Sequence, residues 1–301
     1  MTQDSDCRSW FSAADLLTKD ASAPVALIGA PMGLGSITPG RCDLAPETVR
    51  AAMKRMSVYD LETETDLSAL RVFDAGDVDI SKLQPAESLA PIVEKLSPLM
   101  QKHDLTIVLG GNNAITRPCA HALDPTLKTI GVLTLDAHFD LRDTDCGLTN
   151  GNPIQALLED GLSGKHIAQI GLAPFANTKK ARGKARDAGI HVMTLRTCRE
   201  EGLASCALHM LDVLTARGCS EIHVDFDIDV VERSAMPGAP GARPGGVAVQ
   251  DFFDATRSIC AHPKVRSVDL TEFDPSLDVA AIGALTAARW VCEALAGFQR
   301  R

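Results

Sequence analysis

The run Ile130-Gly-Val-Leu-Thr-Leu-Asp-Ala-His-Phe-Asp-Leu-Arg142 decides how this chain is read. Its first half, 130–135, is short, almost wholly apolar and bounded by polar residues, the pattern of a strand buried on both faces. It ends in Asp136, His138 and Asp140. On an extended backbone, side chains at i, i+2 and i+4 share one side. Two carboxylates and an imidazole then converge at the C-terminal end of a strand, where open α/β sheets bind their ligands. A second run of the same kind follows far downstream, His223-Val-Asp-Phe-Asp-Ile-Asp229. Together the two runs supply carboxylates and imidazole enough for one or two hard or borderline divalent cations.

Outward from these runs, apolar segments at 24–30, 71–75, 105–109, 166–171, 190–195, 221–227 and 265–270 read as further strands. Helical patterns fall between them, at 86–102, from 114 onward, to 158, at 181–188, 199–216 and 282–296. This alternation predicts a three-layer α/β/α fold around a mostly parallel sheet of about eight strands. Residues 1–22 read as a polar N-terminal arm and 23–301 as one domain. The loop from Gly29 to Gly40 is rich in Gly and Pro. It ends in neither Gly-Lys-Ser/Thr nor Gly-x-Gly-x-x-Gly, which argues against a phosphate loop. The Gly/Pro-rich segment 234–246 is long enough to shape a pocket.

Composition narrows the function further. The chain has 301 residues, 45% of them hydrophobic, and a net charge of −9. No Lys/Arg-rich run stands out, so neither a nucleic acid nor an anionic membrane surface is an expected partner. No apolar run reaches the length that spans a bilayer. The first residues lack the basic and apolar regions of a secretory signal. The nine cysteines are scattered without a Cys-x-x-Cys pair, which suits free thiols in a cytoplasmic protein.

Several carboxylates gathered at one depth repel one another unless a cation neutralises them. Carboxylates with imidazole and no cysteine suit Mn²⁺, Mg²⁺, Fe²⁺ or Zn²⁺ in a catalytic site over a structural zinc site. Two such ions a few ångströms apart, roughly 3.5–4 Å, can activate water at neutral pH. The chemistry implied is hydrolysis at a trigonal carbon or at phosphorus.

These motifs resemble those of the ureohydrolase superfamily of arginases, agmatinases, guanidino-acid hydrolases and formiminoglutamases. The resemblance runs from Gly29-Ala-Pro and Pro39-Gly to Glu272. Asp136-Ala-His-Phe-Asp140 is similar to the family's Asp-Ala-His-x-Asp. Asp225-Phe-Asp-Ile-Asp229, with Pro237-Gly and Pro244-x-Gly246 after it, is similar to the second metal motif and its loop. The resemblance implies a three-layer α/β/α fold, two Mn²⁺ ions, hydroxide attack on the carbon of a small-molecule amidine, and a homo-oligomer, trimer or hexamer. It also implies that Asp136 and Asp225 bridge the metals, that His138 and Asp227 complete one site, and that Asp140 serves the other. Glu272 matches the acidic residue that holds the substrate's cationic nitrogens, a sensible use of a charge-assisted pair.

The chain departs from the family at three places. Gly110-Gly-Asn-Asn113 stands where Gly-Gly-Asp-His is usual, so Asn113 replaces a histidine ligand. That leaves two ions, one weakly held, a single ion, or a ligand-binding protein without turnover. His223 stands where Ser is frequent, and reads as a hydrogen-bonded core histidine, an outer partner of the centre, or a substitute ligand. Asn150-Gly151 replaces the proton-relaying histidine of arginase-like members. Formiminoglutamase-like members lack that histidine too, so the first expectation is a formimino or guanidino-carboxylate substrate, with agmatinase- or arginase-like activity as the alternative. Arg142, two residues beyond a ligand, is placed to pair with a substrate carboxylate, as is Arg243 with a weaker case. Cys146 lacks a histidine partner that would make it a nucleophile.

Overall fold

The computed structural model describes residues 10–301. The strands are β1 (Leu17–Thr18), β2 (Val25–Ala30), β3 (Tyr59–Asp60), β4 (Thr65–Asp66), β5 (Val72–Asp77), β6 (Leu105–Gly110), β7 (Ile130–Leu135), β8 (Ile167–Leu172), β9 (His191–Thr194), β10 (Glu221–Asp227) and β11 (Val265–Thr271). The helices are α1 (Ala45–Met53), α2 (Pro85–Lys102), α3 (Thr116–Leu123), α4 (Pro153–Glu159), α5 (Lys179–Ala188), α6 (Leu195–Glu201), α7 (Leu203–Ala216), α8 (Val249–Cys260) and α9 (Ile282–Phe298).

Nine strands form one sheet in the order β1-β5-β2-β6-β11-β10-β7-β8-β9. Every pairing in it is parallel. The ninth strand, beyond the eight expected, is the two-residue edge β1, by which the N-terminal arm docks on the domain. Ala13 and Leu16 of that arm are fully buried. β3 and β4 make a separate hairpin that alternation did not announce. The single helix expected over 199–216 is broken at Gly202 into α6 and α7. No helix among the described residues is long and apolar enough to cross a membrane.

The two faces of the central strands carry different chemistry. Ile222, Val224 and Phe226 of β10, and Val268 and Leu270 of β11, pack into the main core with α7, α8 and α9. Phe226 meets the rings of Phe252 and Trp290 edge-on, with centroids 5.7 and 5.3 Å away. By strand alternation His223, Asp225 and Asp227, together with Ser267, Asp269 and Thr271, point to the opposite layer, where α3 lies. The apolar anchor on one face thus fixes a polar column on the other.

One close approach sets the rim of that column. The N–H of Gly111 donates to Ala30, and the N–H of Asn112 to Met32, each at 2.9 Å. A Cβ on Gly111 would sit 2.1 Å from the Met32 carbonyl oxygen. Backbone cannot yield as a flexible side chain can, so Gly111→Ala is expected to destabilise the fold by about 3 kcal/mol. A denaturant titration showing an unchanged midpoint would refute this.

Candidate metal centre

β7 stops at Leu135 and β10 at Asp227. Their register pairs Leu135 with Phe226, so Asp136 and Asp227 leave the sheet side by side. Past Leu135 the chain turns so that the His138 N–H donates to Asp136 Oδ1 at 2.6 Å. His138 Nδ1 then faces Asp229 Oδ2 at 3.0 Å and Asp136 Oδ1 at 3.4 Å. Asp229 lies in the 3-10 turn Ile228–Val230, its N–H donating to Asp227 Oδ1 at 2.9 Å. Gly241 of the Gly/Pro loop is pressed against Asp229; a Cβ there would lie 1.9 Å from Asp229 Oδ2.

Two groups of metal-capable atoms result. Asp136, His138 and Asp229 offer ligand atoms within 4.8 Å of one another, and so do Asp136, Asp140 and Asp227. Asp136 belongs to both. The second motif is therefore shifted by two residues from the sequence reading: Asp227 and Asp229 reach the centre, and Asp225 does not join either group. Asp225 is fully buried one step deeper in β10, with Thr271 Oγ1 at 3.5 Å. The cause is where the strand ends. Asp225 lies inside β10, whereas Asp227 is its last residue and Asp229 sits in the turn after it, so only these two stand at the strand end. The signal was present: the first cluster begins just past its strand, and the same rule applied to the second selects the later aspartates. Sequence alone assigns Asp229 no role.

Asn113 is placed otherwise than as a ligand. Its Oδ1 accepts Thr116 Oγ1 at 2.6 Å and Thr271 Oγ1 at 3.2 Å. Its Nδ2 donates to Asp140 Oδ2 at 2.5 Å. The donor side of the amide faces the centre, so Asn113 steadies a carboxylate and its own oxygen is turned inward. His223 is a fully buried core histidine, held by Ser267 Oγ at 2.8 Å and Asp269 Oδ2 at 3.2 Å.

Glu272 follows the end of β11. Its Oε1 accepts the Asn113 N–H at 2.7 Å and Asn150 Nδ2 at 3.0 Å. Asn150 Oδ1 in turn accepts the Ile37 N–H at 2.8 Å, so Asn150 ties the loop before α1 to the acid. Glu272 and Asp140 both have left-handed backbones, with φ of 63° and 52°. Such a conformation costs a non-glycine residue roughly 1 kcal/mol or more. These residues line a cavity of 670 Å³ whose wall includes His138, Asp140, Asp227, Asp229, Asn150 and Glu272. Arg142, Arg243 and Cys146 are exposed on its lining. Among the described residues Arg142 makes no ion pair, and Arg243 Nη1 is turned to the Gly241 carbonyl at 2.8 Å.

The electrostatics of this arrangement call for a cation. Burial, aggravated by Asp140 and Asp229, pushes Asp136 well above the usual carboxylate range. Burial and Asp229 do the same to Asp227. Asp140 is pushed up to about 7 by burial, against the pull of His138. Burial also raises Glu272 to about 7. Burial alone would depress His138, but Asp229 and Asp136 outweigh it and hold the ring protonated up to about 12. A single imidazolium cannot balance five clustered acids, whereas an oxygen-rich set with one imidazole fits hard or borderline divalent ions.

A pH dependence follows, with its sign fixed by the raised acids. A carboxyl whose folded pKa lies above its unfolded value destabilises the fold as pH rises between the two. The metal-free protein is therefore expected to lose thermal stability from about pH 4 to about pH 7, the window set by Asp140 and Glu272. His138 opposes nothing there, since an unfolded histidine stays charged up to its ordinary value of 6.5. Divalent cation binding needs the ionised acids and should stabilise most above pH 7. Melting temperatures across this range, with and without chelator, test it; a rising metal-free curve would contradict the assignment.

The fold and this carboxylate–histidine centre, set at the C-terminal ends of adjacent parallel strands, define an α/β protein of metallohydrolase type. The arginase family model matches residues 23–297, and the chain belongs to the arginase family. It is 32% identical to the formimidoylglutamase of Bacillus subtilis over 285 residues, covering 93% of this chain and 89% of that one. It is 34% identical to the formimidoylglutamase of Halalkalibacterium halodurans over 278 residues, covering 90% and 86%. The crystal structure of the Bacillus subtilis enzyme superposes with a TM-score of 0.90 at 30% identity, covering 97% of this chain and 93% of that one. Trypanosoma cruzi formiminoglutamase, solved with Mn²⁺, shares the fold with a TM-score of 0.88 at 24% identity, covering 97% and 99%.

Proposed function

We propose that this protein is a metal-dependent hydrolase of a non-peptide C–N bond in a linear amidine, acting on a formimino compound with a carboxylate tail. The observation that carries the reading is the pair of ligand groups sharing Asp136, whose other members His138, Asp140, Asp227 and Asp229 line one cavity together with Glu272. His138 and Asp229 would hold one Mn²⁺, Asp140 and Asp227 the other, and Asp136 both. When bound, the ions supply Lewis acidity that activates water at neutral pH.

The chain's own residues do the rest. Asn113 Nδ2 keeps Asp140 aimed at its ion. Asn113 and Asn150 occupy Glu272 Oε1, which leaves Oε2 for the N–H groups of an amidinium. A carboxylate so placed holds the trigonal carbon in one orientation toward the activated water. Arg142, exposed two residues beyond Asp140, would receive the substrate's carboxylate. Addition of water and collapse of the tetrahedral species break the bond from carbon to the substituted nitrogen. The products are formamide and the free amine.

The sequence resemblance supports a trimer or hexamer, and the eight described cysteines, all unpaired, suit the cytoplasm. The deciding experiment incubates the manganese-loaded protein with N-formimino and guanidino amino acids and measures formamide and urea. Chelator-sensitive formamide release is the expected result. Urea release would move the activity to the guanidino branch, and neither product would leave a binding protein without turnover.

A further inference from the structure

Beneath the hydrolytic centre lies a second cluster that the reaction does not use. Asp225 on β10 and Asp269 on β11 are direct register partners, and both are fully buried. Asp225 Oδ2 and Asp269 Oδ1 have no hydrogen-bond partner among the described residues. Two adjacent carboxylates in a low-dielectric interior are tolerated only with a cation or a proton between them. The other groups on this spot are those of a metal site. Cys119 of α3, His223 and Asp269 present Sγ, N and O within 4.8 Å of one another. His223 is held at Nδ1 by Ser267 Oγ at 2.8 Å, while Nε2 faces Asp269 at 3.2 Å. A histidine fixed at Nδ1 by a hydroxyl, with Nε2 directed at a carboxylate, presents both groups toward one cation, the orientation that metal-bound histidines are given by their outer partners.

We propose that Cys119, His223 and Asp269, with Asp225 as a fourth donor, form a buried site for one zinc-class cation, distinct from the hydrolytic centre. A sulfur, a nitrogen and two oxygens suit Zn²⁺ or Co²⁺ far better than Mn²⁺. The atoms of Cys119, His223 and Asp269, within 4.8 Å of one another, match the span of three corners of a four-coordinate shell with bonds of about 2.0–2.3 Å. Burial first, then Asp269 and Asp225, pushes the Cys119 thiol well up, so the sulfur carries its proton until a cation binds. Uptake therefore releases the thiol proton to solvent as the Zn–S bond forms, with no change of oxidation state. Because all four residues are sealed from solvent, the ion enters during folding. It is retained by a chelator treatment that empties the open cavity above it.

The test is made on the whole protein, produced in medium supplemented with zinc or with cobalt, then dialysed against chelator and reloaded with Mn²⁺. Elemental counting is expected to find one zinc per chain that survives the chelator. The cobalt form is expected to show a thiolate-to-cobalt absorption band in the near ultraviolet. Cys119→Ser should lose that band and the retained zinc while keeping the wild-type manganese count. A folded wild-type protein with no retained zinc and no band overturns the site and leaves a shared proton between the two carboxylates. A band that persists in Cys119→Ser also overturns it, by assigning the thiolate to another cysteine. The formamide assay is independent of both readouts, so failure here and failure of the hydrolase reading are separable.

Discussion

Asp229→Asn is expected to lower kcat/KM by on the order of 10²–10³-fold, the loss that follows removal of one directly acting polar group. The substitution keeps the side chain's size and its place in the turn but removes the charge that faces His138 at 3.0 Å. Manganese content should fall with it, because the remaining group on that side is His138 with a shared Asp136. Asp225→Asn, two residues earlier, is the matched control. Its amide would supply N–H donors to the unpartnered oxygen of Asp269, and the manganese count should stay at the wild-type value. Metal analysis with steady-state kinetics on the two variants decides between the registers. Full activity in Asp229→Asn, with manganese lost in Asp225→Asn, would restore the assignment drawn from sequence.

Glu272→Gln comes next, with an expected loss on the order of 10²-fold in kcat/KM for a cationic amidine. The glutamine carbonyl can still accept from Asn113 and Asn150. Its NH₂ then points where the substrate's own N–H groups arrive, donor against donor. The deficit should fall mainly on KM, since the group binds ground and transition states alike. Metal content should not move, as Glu272 belongs to neither ligand group. An unchanged KM would place the amidine's nitrogens elsewhere.

Much of this was legible in the chain. The eight longer strands and the parallel order of the sheet follow from apolar runs alternating with helical ones, because strands buried on both faces need no other signal. The edge strand Leu17–Thr18 was not, since two residues carry no periodicity. The break at Gly202 was hidden by an apolar stripe that continues across it. In the centre, strand-end logic pointed to Asp136, His138 and Asp140, and each offers an atom to one or both of the two candidate ligand groups. The second motif was misjudged by one pleat, as alternation gives the shared face of Asp225, Asp227 and Asp229 but not where β10 lets go of the sheet. The role of Asn113 was out of reach for a different reason. Which end of an amide faces a neighbour depends on Thr116 and Thr271, and the latter is 158 residues away.

The left-handed backbones at Asp140 and Glu272 bear on any attempt to improve this protein's robustness. Each position combines an unfavourable φ with a carboxyl whose ionisation burial opposes, pushed up to about 7. Residues that relax both, such as Asn or Gly, remain compatible with the chain path. A selection for heat resistance alone would therefore converge on these two positions and return hardy proteins that no longer turn over. Screens for sturdier variants need catalysis as a simultaneous criterion, or these two residues held invariant from the outset.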